Sequence, residues 1–348
     1  VTKDQTTYEK QLAVAVSLAK PAARFELTRR VVEERHFGCI AEYLSAGTLR
    51  EAHVLVEQSE QLGLRVWPLT GDEYPEVLKH IDDPPSVLYV RCCDDALTIT
   101  DVCLAVVGRR AAGVETCSDA TRIAQELAES GFTIVSGLAL GVDAAAHRGA
   151  LQTDLQCPTI AVLAHGLDRV YPASHHGLAQ QIVNAGGILL SEYAPGVTPM
   201  RHHFLARNRI IAGLSRGVVV VEAGKRSGSL VTAQFAADYG RDVFVVQGAL
   251  DDESREGGEN LLAQGAISIT GAHEVLAEYG MKSKQSMSCA SLDDWHITTV
   301  EELQQAADIS ARQLLELELA GQLERLPGNR IRIARSAQRK LVLAQGNG

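Results

Sequence analysis

Six short apolar runs, each separated from the next by a helix-length segment, occupy the middle of this chain and leave few folds open. They are Cys103–Val107, Thr133–Val135, Thr159–Leu163, Ile188–Leu190, Val218–Val221 and Val243–Val246. Each is continuously apolar and rich in Val and Ile, rather than alternating apolar with polar. A strand of that kind is covered on both faces, as in a parallel sheet. The segments between them, Ser118–Ser130, Asp143–Leu151, Gly177–Ala185, Leu205–Leu214 and Leu230–Tyr239, carry helical patterning. Strand and helix in strict alternation predict an α/β chain wound about a mainly parallel sheet.

The flanks read differently. Residues 1–48 form an N-terminal helical region, with apolar residues at mixed three- and four-residue spacing over Tyr8–Leu18 and Phe25–Leu44. From 49 to 280 runs the core. It opens with a helix at Glu51–Leu62, a strand at Arg65–Trp67, the Pro-rich turn Asp82-Asp-Pro-Pro85 and a strand at Ser86–Val90. Residues 281–294 are polar and Ser-rich and read as a linker. Residues 295–348 predict a winged helix: helices at Thr299–Ala306 and Ala311–Ala320, then a hairpin of Gln322–Leu326 and Arg330–Ile333 around Pro-Gly-Asn.

Charge narrows the partners. The 348 residues carry 33 Lys+Arg against 43 Asp+Glu, a formal net charge of −10. Uniform attraction to nucleic acid or to an anionic membrane is thereby excluded, so a polyanionic partner needs a local basic patch. No apolar run approaches the ~18 residues of a membrane span, so no membrane association is expected. The first residues, Val1-Thr-Lys-Asp-Gln, lack a basic-then-apolar leader. Seven Cys at 39, 92, 93, 103, 117, 157 and 289 contain no CxxC pair. These features predict a reduced, cytoplasmic protein with no disulfide framework and no Cys-based metal site.

Ligands of a doubly wound sheet bind at the carboxyl ends of its strands. Those ends here are Gly108-Arg109-Arg110, Ser136-Gly137-Leu-Ala-Leu-Gly141, Ala164-His165-Gly166, Ser191-Glu192, Glu222-Ala-Gly224-Lys225-Arg226-Ser227-Gly228-Ser229 and Gln247-Gly248. Glycine brings backbone N–H groups close to a ligand, and a helix start attracts an anion. Each glycine taken alone also reads as a tight turn; the set together favours a phosphate-bearing ligand. GxGxxG after the first strand and GxxxxGK[ST] are both absent, so the common nucleotide templates fail.

Two basic windows stand out in the acidic chain. From Met200 to Arg226, six basic residues (Arg201, Arg207, Arg209, Arg216, Lys225, Arg226) face one acid, Glu222, for a net of +5, with Phe204 among them. Arginine beside an aromatic suits single-stranded nucleic acid, guanidinium to phosphate and ring to base. The other reading of the same residues is a solvated helix face with Phe204 in the core, but solvated faces normally mix signs. A second +5 window spans Glu324–Lys340. The preceding helix, with Glu316 and Glu318 against Arg312, is poorly suited to a duplex groove.

Candidate acids and bases are thin. His147, Asp143, Asp168 and Glu192 lie near strand ends, yet HExxH and GxSxG are absent. Asp143 reads as a helix N-cap and His147 as a packed histidine. No catalytic residue, metal or cofactor is expected.

Several of these segments together resemble the DNA processing protein A family (DprA, also called Smf). They are Ser136-Gly-Leu-Ala-Leu-Gly-Val-Asp143 with Ala146-His147, Gly166-Leu-Asp168 with Tyr171-Pro172, and Ser191-Glu192. Then come Phe204-x-x-Arg207-Asn-Arg-Ile-Ile-Ala-Gly-Leu-Ser215, Glu222-Ala223, Ser227-Gly-Ser-Leu-Val-Thr-Ala233, and Gly258 with Asn260-Leu-Leu and Gly265-Ala266. Upstream, Tyr74-Pro75 and Asp83-Pro84-Pro85 also fit. The chain departs from the family pattern at Arg91, Arg109 and Gln247. The resemblance implies an extended Rossmann-like core with a C-terminal winged helix. It implies a homodimer that binds single-stranded DNA and loads the RecA recombinase in natural transformation, and not an enzyme. The implied strand contacts are Gly108, Arg110, Arg201, Phe204, Arg207 and Arg209. Ser136, Gly137, Asn208, Lys225, Ser227, Gly228, Ser229 and Thr232 join them as candidates from the strand ends and the motif segments. Two rival functions remain: a nucleotide phosphoribohydrolase on a related fold, whose PGGxGTxxE motif is missing here, and a winged-helix DNA-binding regulator.

Overall fold

The computed structural model describes residues 3–93, 99–225, 227–247, 252–281, 295–299, 323–326 and 330–334. The chain divides into two compact units, Val1–Lys282 and Ser283–Gly348.

The first unit is built on a nine-stranded sheet. Its strands are β1 (Arg65–Pro68), β2 (Val87–Arg91), β3 (Cys103–Val107), β4 (Thr133–Ser136), β5 (Thr159–Leu163), β6 (Ile188–Ser191), β7 (Gly217–Val220), β8 (Asp242–Val246) and β9 (Ile267–Ile269). Its helices are α1 (Lys3–Ser17), α2 (Pro21–Glu34), α3 (Ala46–Gln61), α4 (Glu76–Lys79), α5 (Val114–Glu129), α6 (Val142–Ala150), α7 (His176–Asn184), α8 (Arg201–Leu214), α9 (Gly228–Asp238), α10 (Asp252–Ala263) and α11 (Ala272–Glu278). The spatial order is β1-β2-β6-β5-β4-β3-β7-β8-β9. From β6 across to β9 every neighbouring pair is parallel, while β2 meets β6, and β1 meets β2, antiparallel. The expected doubly wound α/β fold is therefore present.

Alternate residues of the central strands feed two cores. Cys103, Ala105 and Val107 of β3 join one cluster, with residues of α1, α7, α8 and α9. Leu104 and Val106 join the other, with residues of α5, α6 and α11. This double burial is why the strands read as unbroken apolar runs. Leu12–Val16 of α1 are fully buried in the first cluster, so the N-terminal helices pack within the same unit as the sheet.

Several elements differ from the sequence reading: α3 and α5 start at Ala46 and Val114, five and four residues early, and α4, α10 and α11 were not expected. The helical stretch expected through Leu44 stops at Glu34: Arg35 turns left-handed (φ 59°), and a 3₁₀ segment, Phe37–Tyr43, follows. That break lets Phe37 and Ile40 enter the core. β9 escaped notice because a three-residue Ile-Ser-Ile edge strand has no continuous apolar run. Helix α8 begins at Arg201, four residues before the expected start.

In the second unit, β10 (Trp295–Thr299), β11 (Leu323–Leu326) and β12 (Arg330–Ala334) form an antiparallel sheet in the order β10-β12-β11. The expected hairpin is its β11–β12 pair. The expected helices of this region, Thr299–Ala306 and Ala311–Ala320, lie outside the described residues except for Thr299, which ends β10.

The winding order fixes where a ligand can sit. The chain steps from β3 outward through β4 and β5 to β6, then returns through α8 to β7 on the other flank of β3. Between β3 and β7 the loops leave in opposite directions, which opens a crevice above their carboxyl ends.

Candidate nucleic-acid interface

That crevice is a groove of about 1120 Å³. Its walls are the loop after β3, the groove-facing side of α8 and the loop from β7 into α9. The β3 loop is set by two close approaches. At Gly108 a Cβ would lie 2.7 Å from the Val142 side chain. At Gly141, whose φ of +75° already favours glycine, a Cβ would lie 2.3 Å from the Arg109 carbonyl. The Val142 N–H donates to that carbonyl at 3.3 Å, so the loop is pinned on the start of α6.

Helical periodicity then sorts the basic window. Arg201, Phe204, Leu205, Asn208 and Ile211 recur at three- and four-residue spacing, and all line the groove. Arg201 is exposed and Phe204 half-buried. The exposed Arg110 lies with its guanidinium 5.0 Å from the centre of the Phe204 ring, and the Tyr171 ring packs 5.7 Å away at a tilt. A cation over an aromatic face in this range is attracted by the ring quadrupole. The groove thus carries a cation–aromatic station at the α8 start.

Arg207 and Arg209, expected to hold phosphates, are placed otherwise. The Arg207 guanidinium is buried and donates to the carbonyls of Val162 and Gly137, the latter at 2.9 Å. Burial draws its pKa down to about 10, Arg110 adds to this and Asp143 opposes it. Arg207 lines the groove floor as an internal tie between α8, β5 and the β4 loop. Arg209 turns away from the groove. Its Nη1 and Nη2 meet Glu192 Oε1 and Oε2 at 2.7 and 2.8 Å, and its Nε donates to the Asp83 carbonyl at 2.9 Å. Burial alone would lower the pKa of Arg209, but Glu192 and Asp83 raise it on balance. Burial likewise acts to raise Glu192, and Arg209 outweighs it to leave that carboxyl low.

The other candidates make contacts within the protein, several of them at the groove wall. Ser136 is buried, and its hydroxyl donates to the Val106 carbonyl at 2.7 Å. The Gly137 N–H donates to Asp143 Oδ2 at 3.1 Å, and a Cβ there would strike the Arg207 guanidinium. Asp143 therefore caps the β4 loop through Gly137 and Ala139, while Gly141 holds the N-cap position of α6 expected for Asp143. Burial raises the Asp143 pKa against the opposing pull of Arg207. Asn208 donates to the Gly228 carbonyl at 3.0 Å, tying α8 to the start of α9. Ser227 caps α9 by accepting from the Ser229 N–H at 3.3 Å; Gly228 is exposed on the groove and Thr232 is buried beside it. Lys225 is exposed and paired with Glu256. Arg226 lies outside the described residues. Tyr171 and Arg109, outside the expected contacts, also line the groove; in sequence their signal is position alone, one in the Tyr-Pro segment and one beside Arg110 at a strand end.

His147 is the buried histidine it was read to be. Its Nδ1 lies 2.7 Å from the Thr159 hydroxyl. Burial, reinforced by Arg207 and His175, lowers its pKa from 6.5 to about 3. A depressed folded-state pKa gives stability that is whole above the unfolded value of 6.5 and is lost as pH falls toward 3. Between about pH 7 and about pH 5 this group alone costs roughly 2 kcal/mol. Urea unfolding at both pH values should show a smaller loss in His147→Gln than in the wild type; equal losses would remove His147 as the cause.

Among the described residues, no group of three or more His, Cys, Asp or Glu is placed to hold a metal ion, and no helix is long and apolar enough to cross a membrane.

Fold and groove together define a doubly wound α/β protein with a basic, aromatic-edged crevice at its switch point. The chain belongs to the DNA recombination-mediator protein A family, whose model matches residues 65–280. It is 45% identical to the DNA processing protein DprA of Streptococcus pneumoniae over 211 residues, 61% of this chain and 73% of that one. Protein Smf of Escherichia coli is 34% identical over 341 residues, 88% of this chain and 90% of the relative. Among solved structures, DprA from S. pneumoniae superposes with a TM-score of 0.58 at 34% identity, covering 79% of this chain and 95% of that one. DprA from Helicobacter pylori, solved to describe its single-stranded DNA binding mode, gives 0.55 at 32% identity over 62% of this chain and 95% of that one.

Proposed function

We propose that this protein is a recombination mediator that binds single-stranded DNA in the switch-point groove and passes the strand to a RecA-type recombinase, working as a homodimer in DNA uptake. The observation that carries the reading is the station formed by Arg110, Phe204 and Arg201. Arg110 is held over an aromatic ring that also borders the groove, and Arg201 stands one helical turn before that ring. Unpaired bases expose π-faces that an aromatic edge can meet, whereas a duplex hides them, so the station favours single strands. Gly108 lets the loop lie low enough for the strand to pass. Membership of the DNA recombination-mediator protein A family and the H. pylori relative's DNA-binding structure support the same assignment. The phosphoribohydrolase and the winged-helix regulator are not favoured, since neither explains this station.

Titration of the full chain with single-stranded and duplex oligonucleotides at several salt concentrations tests the reading. Single strands should bind more tightly. Arg110→Ala and Arg201→Ala should each flatten the log K against log salt slope by about 0.7. Unchanged slopes in both variants would place the strand elsewhere.

A further inference from the structure

The groove holds a second aromatic ring that the Arg110–Phe204–Arg201 station leaves unused. Tyr171 stands in the loop between β5 and α7, lines the groove and is 47% exposed, more than the half-buried Phe204. Among the described residues its ring meets one other, that of Phe204, at 5.7 Å and an interplanar angle of 54°. Its hydroxyl takes part in no hydrogen bond among the described residues, so the fold makes no use of the phenol. The two rings also differ in what they already carry. The Arg110 guanidinium stands over Phe204, whereas among the described residues no cation stands over Tyr171. Ala139, Pro199 and the half-exposed Leu205 line the same groove and add apolar surface to it.

We propose that Tyr171 is a second base-stacking residue of the groove, taking a base next to the one that meets Phe204. The proposal rests on the single-stranded DNA reading given above. A planar base lying flat on one ring meets the other at 54°, so one base cannot stack on both, and the two rings serve two bases. Every base has a π-face, so the contact tolerates any sequence but requires that the base be unpaired. It is a contact to the base and not to the backbone. An exposed ring held against a neighbouring ring also loses little side-chain freedom on binding, having only two rotatable torsions to fix.

The test uses the full chain with two fluorescein-labelled strands of equal length, an oligothymidylate and an abasic oligomer, titrated at several salt concentrations, with thermal melting of each variant. Tyr171→Ala should weaken oligothymidylate binding by about 10- to 100-fold, the scale of one base–aromatic stack. Its salt slope should equal that of the wild type, because no phosphate contact is lost. Binding of the abasic oligomer should not change, and Tyr171→Phe should bind oligothymidylate like the wild type. A ring that merely propped Phe204 would give a different cycle. In the Phe204→Ala background nothing is left to prop, yet Tyr171→Ala should still cost about tenfold; no cost there overturns the proposal. Equal weakening on both strands overturns it too. A Tyr171→Ala protein that binds oligothymidylate like the wild type, in a series where Arg110→Ala flattens the salt slope, overturns Tyr171 and leaves the groove assignment standing. If Arg110→Ala and Arg201→Ala are without effect as well, the groove assignment fails and this proposal falls with it. Should Tyr171→Ala melt early, Tyr171→Leu keeps an apolar side chain at the site and is read in the same way.

Discussion

Arg209→Ala should destabilise the protein by about 3–5 kcal/mol, the cost of stranding one member of a buried ion pair. The same variant should leave the single-stranded DNA affinity of the folded protein unchanged. Arg209 meets both oxygens of Glu192 and reaches the Asp83 carbonyl, so its loss uncouples α8 from the end of β6 and from the Pro-rich turn together. In a unit of this size each kcal/mol moves the melting temperature by roughly 2–4 °C, so a fall near 10 °C is expected. Removing both charges, as in Arg209→Met with Glu192→Leu, should recover much of it, because no lone charge is then left buried. The linkage has a definite sign. The Glu192 carboxyl is held below its ordinary 4.5, so the pair's contribution is complete above that value and is lost as pH falls below it. A variant that melts like wild type yet loses strand affinity would instead put Arg209 on the DNA.

The placement of Arg209 shows how far the sequence reaches. In sequence the window from Met200 to Arg226 is a block of charge, and a block has no faces. With α8 expected to begin at Leu205, neither Arg201 nor Phe204 belonged to the helix. Once the helix begins at Arg201, its 3.6-residue period separates Arg201, Phe204 and Asn208 from Arg209 by about a quarter turn or more. The sheet was legible for the opposite reason. Strands buried on both faces need no phase, because every residue must be apolar, and β3 and β5 appear with the expected limits. The glycines sit between these extremes. Their spacing announced close approaches at strand ends, but not what approached. At Gly137 it is the Arg207 guanidinium, at Gly141 the Arg109 carbonyl, and at Gly108 the Val142 side chain. At these three positions the glycine signal is internal packing at the groove wall. Glu192 and Asp143, the acids near strand ends, hold internal contacts instead: Asp143 caps the β4 loop beside the groove, and Glu192 pairs with Arg209 away from it.

Phe204→Ala should reduce single-stranded DNA affinity by about 10- to 100-fold, within the 1–3 kcal/mol that one base–aromatic stack supplies. The melting temperature should move little, because Phe204 is only half-buried at the groove edge. Two losses combine in that figure. The ring is a surface for a base, and it also holds the Arg110 guanidinium in place at 5.0 Å, where Arg110 can present its outer edge to a phosphate. Coupling between the two residues follows. Arg110→Ala in the Phe204→Ala background should cost less than in the wild type, since an arginine without its platform has already lost part of its preorganisation. Tyr171 packs 5.7 Å from the same ring, and Phe204→Tyr should keep most of the affinity. A double-mutant cycle on labelled oligothymidylate reads the coupling directly. Strict additivity would mean that Arg110 and Phe204 act as separate contacts. A Phe204→Ala protein that binds like wild type would mean that the strand follows a path that leaves this edge of the groove untouched.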